Sequence, residues 1–445
     1  MRQSLTEGNI SKTLLNLSGP MVLGMLGLII FNLVDTYFVS LLGTTELVAI
    51  SFTFPVVLVV NSIALGIGQG TASVVSRAAG AKDKTKLVRY ATESLTLGVM
   101  VVLCFVLIGL LTIEPLFTAL GADAQVMPYI KSYMEVWYLG MVFVVIPMVG
   151  NNSIRALGDT KSPSLVMVVA AVANSILDPM FIFGMGPIPA MGVRGAAIAT
   201  VLSRCITFSV ALYILVVREK IVTFSYVPLS ERYRAWKDIL YIGVPNALTK
   251  IIQPLGIGVI TRLLATEGLY AVAGYGVASK VERFALIFIM SLAVVMTPFV
   301  GQNFGAGKLD RVKKGINVSI KLALWSSLVV YIVLFIAGGH IGAIYSDDPQ
   351  VIEALVFYLR TVPLFYGAYG IIQITMSVLN AINRPFQAAL ISLTLMFVIY
   401  IPLASVSRTV WGYQGIFLAL ALSYFVVAII SLFWLKRTIA HVYKI

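Results

Sequence analysis

Long apolar stretches, separated by short polar loops, follow one another along the whole chain. A helix needs about 20 mostly apolar residues to cross the hydrocarbon core of a bilayer, so each stretch predicts one transmembrane helix. The pattern therefore predicts an all-α polytopic membrane protein with twelve transmembrane helices. The predicted spans are 13–41, 47–76, 89–112, 127–155, 162–184 and 193–217 in the first half, and 237–265, 270–301, 316–338, 351–381, 386–408 and 414–435 in the second half.

The second half of the chain repeats the first at an offset of 225 residues. The loop RAAGAKDKTKLVRY, which begins at Arg77, matches QNFGAGKLDRVKKG, which begins at Gln302. Internal duplication is typical of secondary transporters, whereas a channel, receptor or membrane enzyme does not need it. We therefore predict two six-helix lobes related by internal duplication. They are an N-terminal lobe at 1–220, a cytoplasmic linker at 221–236 and a C-terminal lobe at 237–445.

Composition agrees with a membrane protein, because 59% of the residues are hydrophobic and only 11% are charged. Soluble domains carry about 25% charged residues. The net charge of +13 does not indicate a nucleic-acid partner here, because the basic residues concentrate in loops on one side of the predicted spans. The positive-inside rule makes that side cytoplasmic and places both termini on it. We expect a multi-pass protein of a bacterial or archaeal plasma (inner) membrane.

The residue types that usually hold metals or perform catalysis are scarce. Cys104 and Cys205 lie within apolar runs, and His340 and His441 are the only histidines. We therefore expect no disulfide, no histidine-ligated metal and no cofactor. A membrane enzyme acting on a prenyl or lipid substrate would normally show a clustered acidic metal motif or catalytic histidines. The sequence shows neither, so we predict that the protein is not an enzyme.

Two acids, Asp35 and Asp178, lie inside predicted spans. A charge at the bilayer centre costs about 2.5–3.5 kcal/mol on insertion scales, so intramembrane acids usually line a cavity or carry ions. Each precedes a glycine at the outer end of its span, Gly43 or Gly186, by a distance of about 12 Å along the helix. The equivalent positions of the second half are apolar. A proton or cation site in the first half is favoured, and a purely structural carboxylate is the alternative.

Further polar residues are expected at the same depth. Helix rise places Tyr133 about 9 Å and Thr200 about 12 Å from the outer ends of spans four and six. Asn174 precedes Asp178 by one helical turn and shares its helix face, as Asn32 does with Asp35. If the spans pack as a bundle, these groups can form one hydrogen-bonded network.

Four segments resemble the MATE (multidrug and toxic compound extrusion) family, especially its DinF-like branch. They are NLVDTYFVSLLG around Asp35, NSILDPMFIFG around Asp178, the GAKD loop, and GVRGAAIATVLS at the start of span six. The resemblance implies twelve helices in two lobes around a central cleft, and export of drugs or metabolites against an inward cation flow. It also implies a cation-coupling network and a kink proline in helix 1. The implied network residues are Asp35, Asp178, Tyr133, Asn151, Asn174 and Thr200, and the implied hinge is Pro20.

Two alternatives remain open for the transported species. The sodium-coupled NorM branch uses acids on helices 7 and 10, but here helix 7 carries Lys250 in mid-span and helix 10 carries only Glu353 at its outer start. Proton coupling is therefore favoured, with sodium at Asp35 and Asp178 as the alternative. Lipid-linked substrate flippases of the same superfamily often carry several cavity arginines, whereas Arg204 is the only mid-span arginine of the first lobe. Small-molecule export is favoured over this flippase reading.

The remaining predictions concern substrate and partners. Lys250, Lys280, Glu282 and Arg283 are intramembrane charges of the second half; we expect Glu282 to be neutralised by Lys250 or a helix neighbour, with a substrate-selecting role as the alternative. Phe31, Tyr37 and Phe54 are candidates for lining the substrate cavity, because aromatic faces attract lipophilic cations, and Asn32 is a fourth candidate. The expected partners are small molecules, protons or sodium, and the lipid bilayer, and the chain is expected to be monomeric.

Overall fold

The computed structural model of the protein describes residues 5–223, 225 and 227–442. Regular structure in these residues is helical apart from one isolated β-bridge between Met185 and Ile188, so the all-α prediction is confirmed. The first half contains α1 (Ile10–Ser40), α2 (Thr44–Gly80), α3 (Lys84–Ala119), α4 (Met127–Ala156), α5 (Lys161–Ile182) and α6 (Gly192–Leu212), which a π-helical turn at Tyr213–Arg218 extends. The second half contains α7 (Leu229–Ala265), α8 (Leu269–Ala285), α9 (Ile287–Gly305), α10 (Leu309–Tyr345), α11 (Pro349–Thr361), α12 (Tyr366–Ala381), α13 (Pro385–Leu393) and α14 (Ile401–Val442).

Several predicted spans of the second half are interrupted helices. The eighth span is broken at Leu286, between α8 and α9, and the tenth contains a 3₁₀ turn at Val362–Phe365, between α11 and α12. The eleventh begins with α13 and a π-helical segment at Thr394–Tyr400 before it continues into α14. The twelfth begins at Gly412, whose φ of 55° lies in the left-handed region and breaks α14. Interruptions of this kind are tolerated inside a membrane where neighbouring helices satisfy the freed backbone groups.

The described helices account for the predicted number of spans. By length and composition, 10 of them could cross a membrane, or 11 when the two parts of α4, bent by 43°, are counted as one span. The run Pro385–His441 is counted once although its 57 residues contain the last two predicted spans. The spans of the described chain therefore follow the twelve that hydropathy predicts.

Contacts divide the chain into two compact units. The N-unit is Pro20–Ala247, and the C-unit comprises the described parts of Gln3–Gly19 and Leu248–Ile445. The predicted lobes, by contrast, were bounded at the linker 221–236. The boundaries between the two units instead lie within α1 and α7, which are the first helices of the two repeats. The two boundaries occupy nearly equivalent positions in the repeat. The first part of each of these two helices thus packs with the opposite half of the sequence.

Within the N-unit, α4 is the central helix and packs against α2, α3 and α6, while α5 packs against α6. Helix α1 approaches α5 closely, because a Cβ atom at Gly24 would lie only 3.0 Å from Ser164. Small residues permit such close backbone approach in membrane helices. The start of α7 is fixed to α3 by the hydrogen bond from Trp236 Nε1 to the Glu93 carbonyl (3.2 Å). These contacts explain why residues 229–247 belong to the N-unit.

Within the C-unit, α12 packs against α9, α10 and α14. The N-terminal segment belongs here because Arg311 of α10 donates hydrogen bonds to the carbonyls of Leu5 (3.2 Å), Glu7 (2.6 Å) and Gly8 (2.8 Å). Asn303 of α9 also donates to the Leu5 carbonyl (3.0 Å). Polar side chains therefore tie the segment that leads into α1 to the second repeat.

Pro20 lies inside α1, at the first residue of the N-unit part of that helix. Proline removes a backbone donor and destabilises a helix interior by about 3 kcal/mol, so α1 is weakest where its packing partners change.

We expect Pro20→Ala to reduce transport about tenfold, the effect of a bias of about 1.4 kcal/mol between two states, while membrane insertion stays normal. The measurement is drug efflux at matched protein levels. Pro55→Ala, which alters an exposed proline inside α2, is the control; wild-type kinetics in Pro20→Ala would contradict the hinge.

Candidate cation-coupling site

The most buried polar pair of the candidate site lies on α5. Asn174 and Asp178 are both 0% exposed, and Asn174 Nδ2 donates a hydrogen bond of 2.9 Å to Asp178 Oδ1. The two residues are one turn apart and share a helix face, as predicted. Asp178 Oδ2 and Asn174 Oδ1 have no hydrogen-bond partner in the described part of the chain. A buried carboxylate oxygen without a partner is unfavourable, so this site can be stabilised by taking up a proton or cation.

Helices α1 and α4 add two more groups to this pair. Asp35 of α1 is half-buried, and Tyr133 of α4 is buried. Asp35 interacts electrostatically with Asp178, and the Tyr133 hydroxyl lies within electrostatic range of both carboxylates. Three helices thus bring two acids and a phenol together near one end of their spans. Two carboxylates that interact electrostatically repel each other when both are ionised, so their protonation is coupled.

Arg204 of α6 is a component that the sequence did not assign to the site. Its charge interacts with Asp35, and its guanidinium lies 4.5 Å from the centre of the Phe31 ring. Asp35 forms no ion pair or hydrogen bond through its side chain within the described residues, so this attraction acts over a longer distance. The sequence did contain an indication that Arg204 lies at the site. Arg204 follows the candidate Thr200 by one helical turn, so both residues lie on the same face of α6.

Among the described side chains of the polar candidates, one hydrogen bond joins a pair of them, so a single network that includes all of them stays a prediction. The bond between Asn174 and Asp178 is the one that links two of them there. Thr200 is half-buried on α6, one turn before Arg204. Asn151 follows Tyr133 by about 27 Å along α4, so the structure does not bring it to the acids.

The substrate-cavity candidates also separate into two groups. Phe31 is only 6% exposed and its ring face is occupied by Arg204, so it does not offer that face to a substrate cation. Tyr37 and Phe54, by contrast, are 59% and 65% exposed. Asn32 is exposed too, and its amide donates to the Leu28 carbonyl of its own helix (2.9 Å).

Of the two partners predicted for Glu282, Lys250 or a helix neighbour, the structure agrees only with the second. Glu282 forms no ion pair with Lys250 in the described residues, and its carboxylate instead accepts hydrogen bonds from Tyr358 (2.7 Å) and Tyr424 (3.5 Å). Of its helix neighbours, Arg283 interacts with it electrostatically. Lys250 itself is exposed on α7. Within the described residues, no three or more His, Cys, Asp or Glu side chains are grouped so that they could hold a metal ion.

Comparison with known families and proteins gives consistent matches. The profile of the MatE family matches residues 20–180 and again 245–406, so the two matches begin 225 residues apart, at the offset of the internal repeat. A protein named FAD transporter from Shewanella oneidensis is 36% identical over 98% of this chain and 96% of its own length. The multidrug export protein MepA of Staphylococcus haemolyticus is 27% identical over 96% of this chain and 93% of its own.

Solved structures with the same fold extend over nearly the whole chain. The Vibrio cholerae MATE transporter VcmN in its bent form has a TM-score of 0.91 at 26% identity and covers 97% of both chains. A MOP superfamily transporter from Pyrococcus furiosus has a TM-score of 0.88 at 27% identity, covering 98% of this chain and 97% of its own.

Proposed function

Because the chain belongs to the MATE family of membrane transporters, which have twelve transmembrane helices in two six-helix lobes, we propose that it is an antiporter. It exports drugs or other lipophilic or cationic small molecules in exchange for inward protons. The proposed location is a bacterial or archaeal plasma membrane with both termini cytoplasmic, the terminal residues 1–4 and 443–445 themselves lying outside the described residues.

The observation that carries the proposal is the coupled pair of acids. Asp178 is fully buried, with one carboxylate oxygen bonded to Asn174 and the other unpartnered in the described residues. Asp35 lies within its electrostatic range and near Arg204. A proton is the smallest ligand that relieves both the burial of the charge and the repulsion between the two acids.

The charges of this cluster explain how protons and a cationic substrate can be exchanged. With both acids ionised, Asp35, Asp178 and Arg204 together carry one net negative charge, which attracts a cation. Uptake of one proton from the acidic outer side makes the cluster neutral, and the substrate loses its electrostatic partner. Release of the proton towards the cytoplasm restores the negative charge. Substrate and proton therefore favour different charge states of one site, which is the requirement for exchange.

Transport into everted membrane vesicles tests this function. We expect an imposed proton gradient to drive accumulation of several lipophilic dye cations without sodium, and vesicles that lack the protein to show none. Accumulation that requires sodium would identify sodium, and not the proton, as the coupling ion at Asp35 and Asp178. Movement of a lipid-linked sugar, with no dye transport, would favour the flippase alternative.

A flavin nucleotide is the second candidate substrate, because the Shewanella oneidensis relative is named an FAD transporter. Lys250, which is exposed in the middle of its span on α7, offers suitable chemistry, because basic side chains bind phosphates. The same vesicles, supplied with FAD and with dye cations separately, distinguish the two substrate classes. Gradient-driven FAD uptake without dye uptake would establish the flavin nucleotide as the substrate.

A further inference from the structure

A third acid of the membrane region is enclosed by tyrosines of the C-unit. Glu282 lies near the end of α8, and its two carboxylate oxygens accept hydrogen bonds from different helices. Tyr358 of α11 donates to Oε2 at 2.7 Å, and Tyr424 of α14 donates to Oε1 at 3.5 Å. Both tyrosines are buried. Helices α8, α11 and α14 therefore converge on one carboxylate.

Two further phenol groups near Glu282 have hydroxyls without a hydrogen-bond partner in the described residues. They belong to Tyr366, at the start of α12, and Tyr400, at the end of the π-helical segment Thr394–Tyr400. Both side chains are more than nine-tenths buried, and both lie within electrostatic range of Glu282. A buried hydroxyl that bonds to nothing is unusual in a native protein and calls for an explanation.

The groups that face Glu282 are almost all neutral. Besides the four phenols already named, Tyr275 of α8 and Tyr369 of α12 lie within its electrostatic range. Among the described residues, Arg283 is the one cation that interacts electrostatically with Glu282. The Arg283 side chain is exposed and forms no ion pair with Glu282 within that part of the chain. An acid within a membrane helix that has phenolic partners instead of an ion pair is expensive to keep charged.

We propose that Glu282 is a second proton-binding site of the protein, separate from Asp35 and Asp178. The six tyrosines named above, which we call the tyrosine cluster, form its surroundings.

A proton from water binds to one carboxylate oxygen and turns it from an acceptor into an O–H donor. Tyr424, whose hydroxyl oxygen lies 3.5 Å from Oε1, then turns its own O–H away and accepts that hydrogen bond, while Tyr358 continues to donate to the other carboxylate oxygen. The unpartnered hydroxyl oxygens of Tyr366 and Tyr400, which interact electrostatically with Tyr424, are acceptors towards which the Tyr424 O–H can turn.

A metal cation fits this cluster less well than a proton. Hard cations such as sodium and calcium prefer several carboxylate or carbonyl oxygens, and no group of acids suited to a metal is found in the described residues. The phenols that surround Glu282 supply hydrogen-bond donors and acceptors instead. The place of this site in the transport cycle rests on the proposed proton coupling, but its occupation by a proton can be measured without transport.

Infrared difference spectroscopy of the purified protein between acidic and alkaline pH tests the proposal directly. The background is the double variant Asp35→Asn, Asp178→Asn, so that the first site is silent. We expect a carboxylic-acid C=O band that disappears in Glu282→Gln. Tyr358→Phe should keep the band but shift its frequency, because one hydrogen bond to the carboxyl group is lost. A merely structural glutamate that stays ionised would give no such band.

The matched control is Glu353→Gln, because Glu353 is an exposed glutamate of α11 that also accepts a tyrosine hydrogen bond, from Tyr413 at 3.3 Å. This variant should keep the band. A band that survives Glu282→Gln in folded protein, or one that sodium removes at constant pH, would overturn the proposal. Failure of the proposed antiport would appear separately, as absence of gradient-driven transport in vesicles of wild-type protein.

Discussion

Asp35→Asn is expected to reduce drug export to the level of vesicles without the protein, while the variant still folds and inserts. Asparagine keeps the size and much of the hydrogen-bonding shape of aspartate but cannot bind and release a proton. The substitution also removes the anion that interacts with Arg204, so the cluster becomes neutral with Asp178 ionised. The site then has no net negative charge to attract a cationic substrate, and only one of the two acids can still bind a proton.

The measurement is dye efflux at matched amounts of protein in the membrane, with size-exclusion chromatography of the purified variant to establish folding. Glu135→Gln is the matched control, because Glu135 is an exposed acid only two residues beyond Tyr133 on α4. This control should export at the wild-type rate. Normal export by Asp35→Asn at equal expression would exclude Asp35 as a proton carrier.

Substrate binding by the purified wild-type protein is expected to weaken on acidification between about pH 5 and 8, the range in which coupled carboxyl groups of buried sites titrate. The sign follows from charge: the substrate cation binds the ionised pair, and a falling pH protonates the pair and removes that attraction. If one proton competes with one substrate, affinity changes by at most about tenfold per pH unit. The double variant Asp35→Asn, Asp178→Asn should bind weakly and with no pH dependence.

The single variants show whether the proton belongs to one acid or to both. Because the acids interact, we expect each single substitution to shift the pH range of binding rather than halve its amplitude. Independent acids would instead give additive effects. A double variant that keeps the full pH dependence of binding would rule out this pair as the coupling site. The coupling would then have to be sought elsewhere, with Glu282 as the first residue to substitute in the same assay.

The sequence by itself determined the features that depend on local composition and on repetition. An apolar stretch must become a helix inside a bilayer, because no other open structure satisfies its own backbone groups, so hydropathy predicted the all-α class and the spans. The repeat at an offset of 225 residues predicted the duplication that the two MatE matches then supported. Asp35 and Asp178 were identifiable because an intramembrane acid is costly wherever it lies.

Only the tertiary structure decided which side chains meet across helices. Hydropathy gives the depth of a residue but not the rotation of its helix, so it could not tell that Arg204 covers Phe31, or that tyrosines rather than Lys250 contact Glu282. It also could not show that the first parts of α1 and α7 pack with the opposite half of the chain, because chain order and packing partner are independent there. The partners of a buried charge are set by the packing of helices distant in sequence, and this packing determines what each acid can bind.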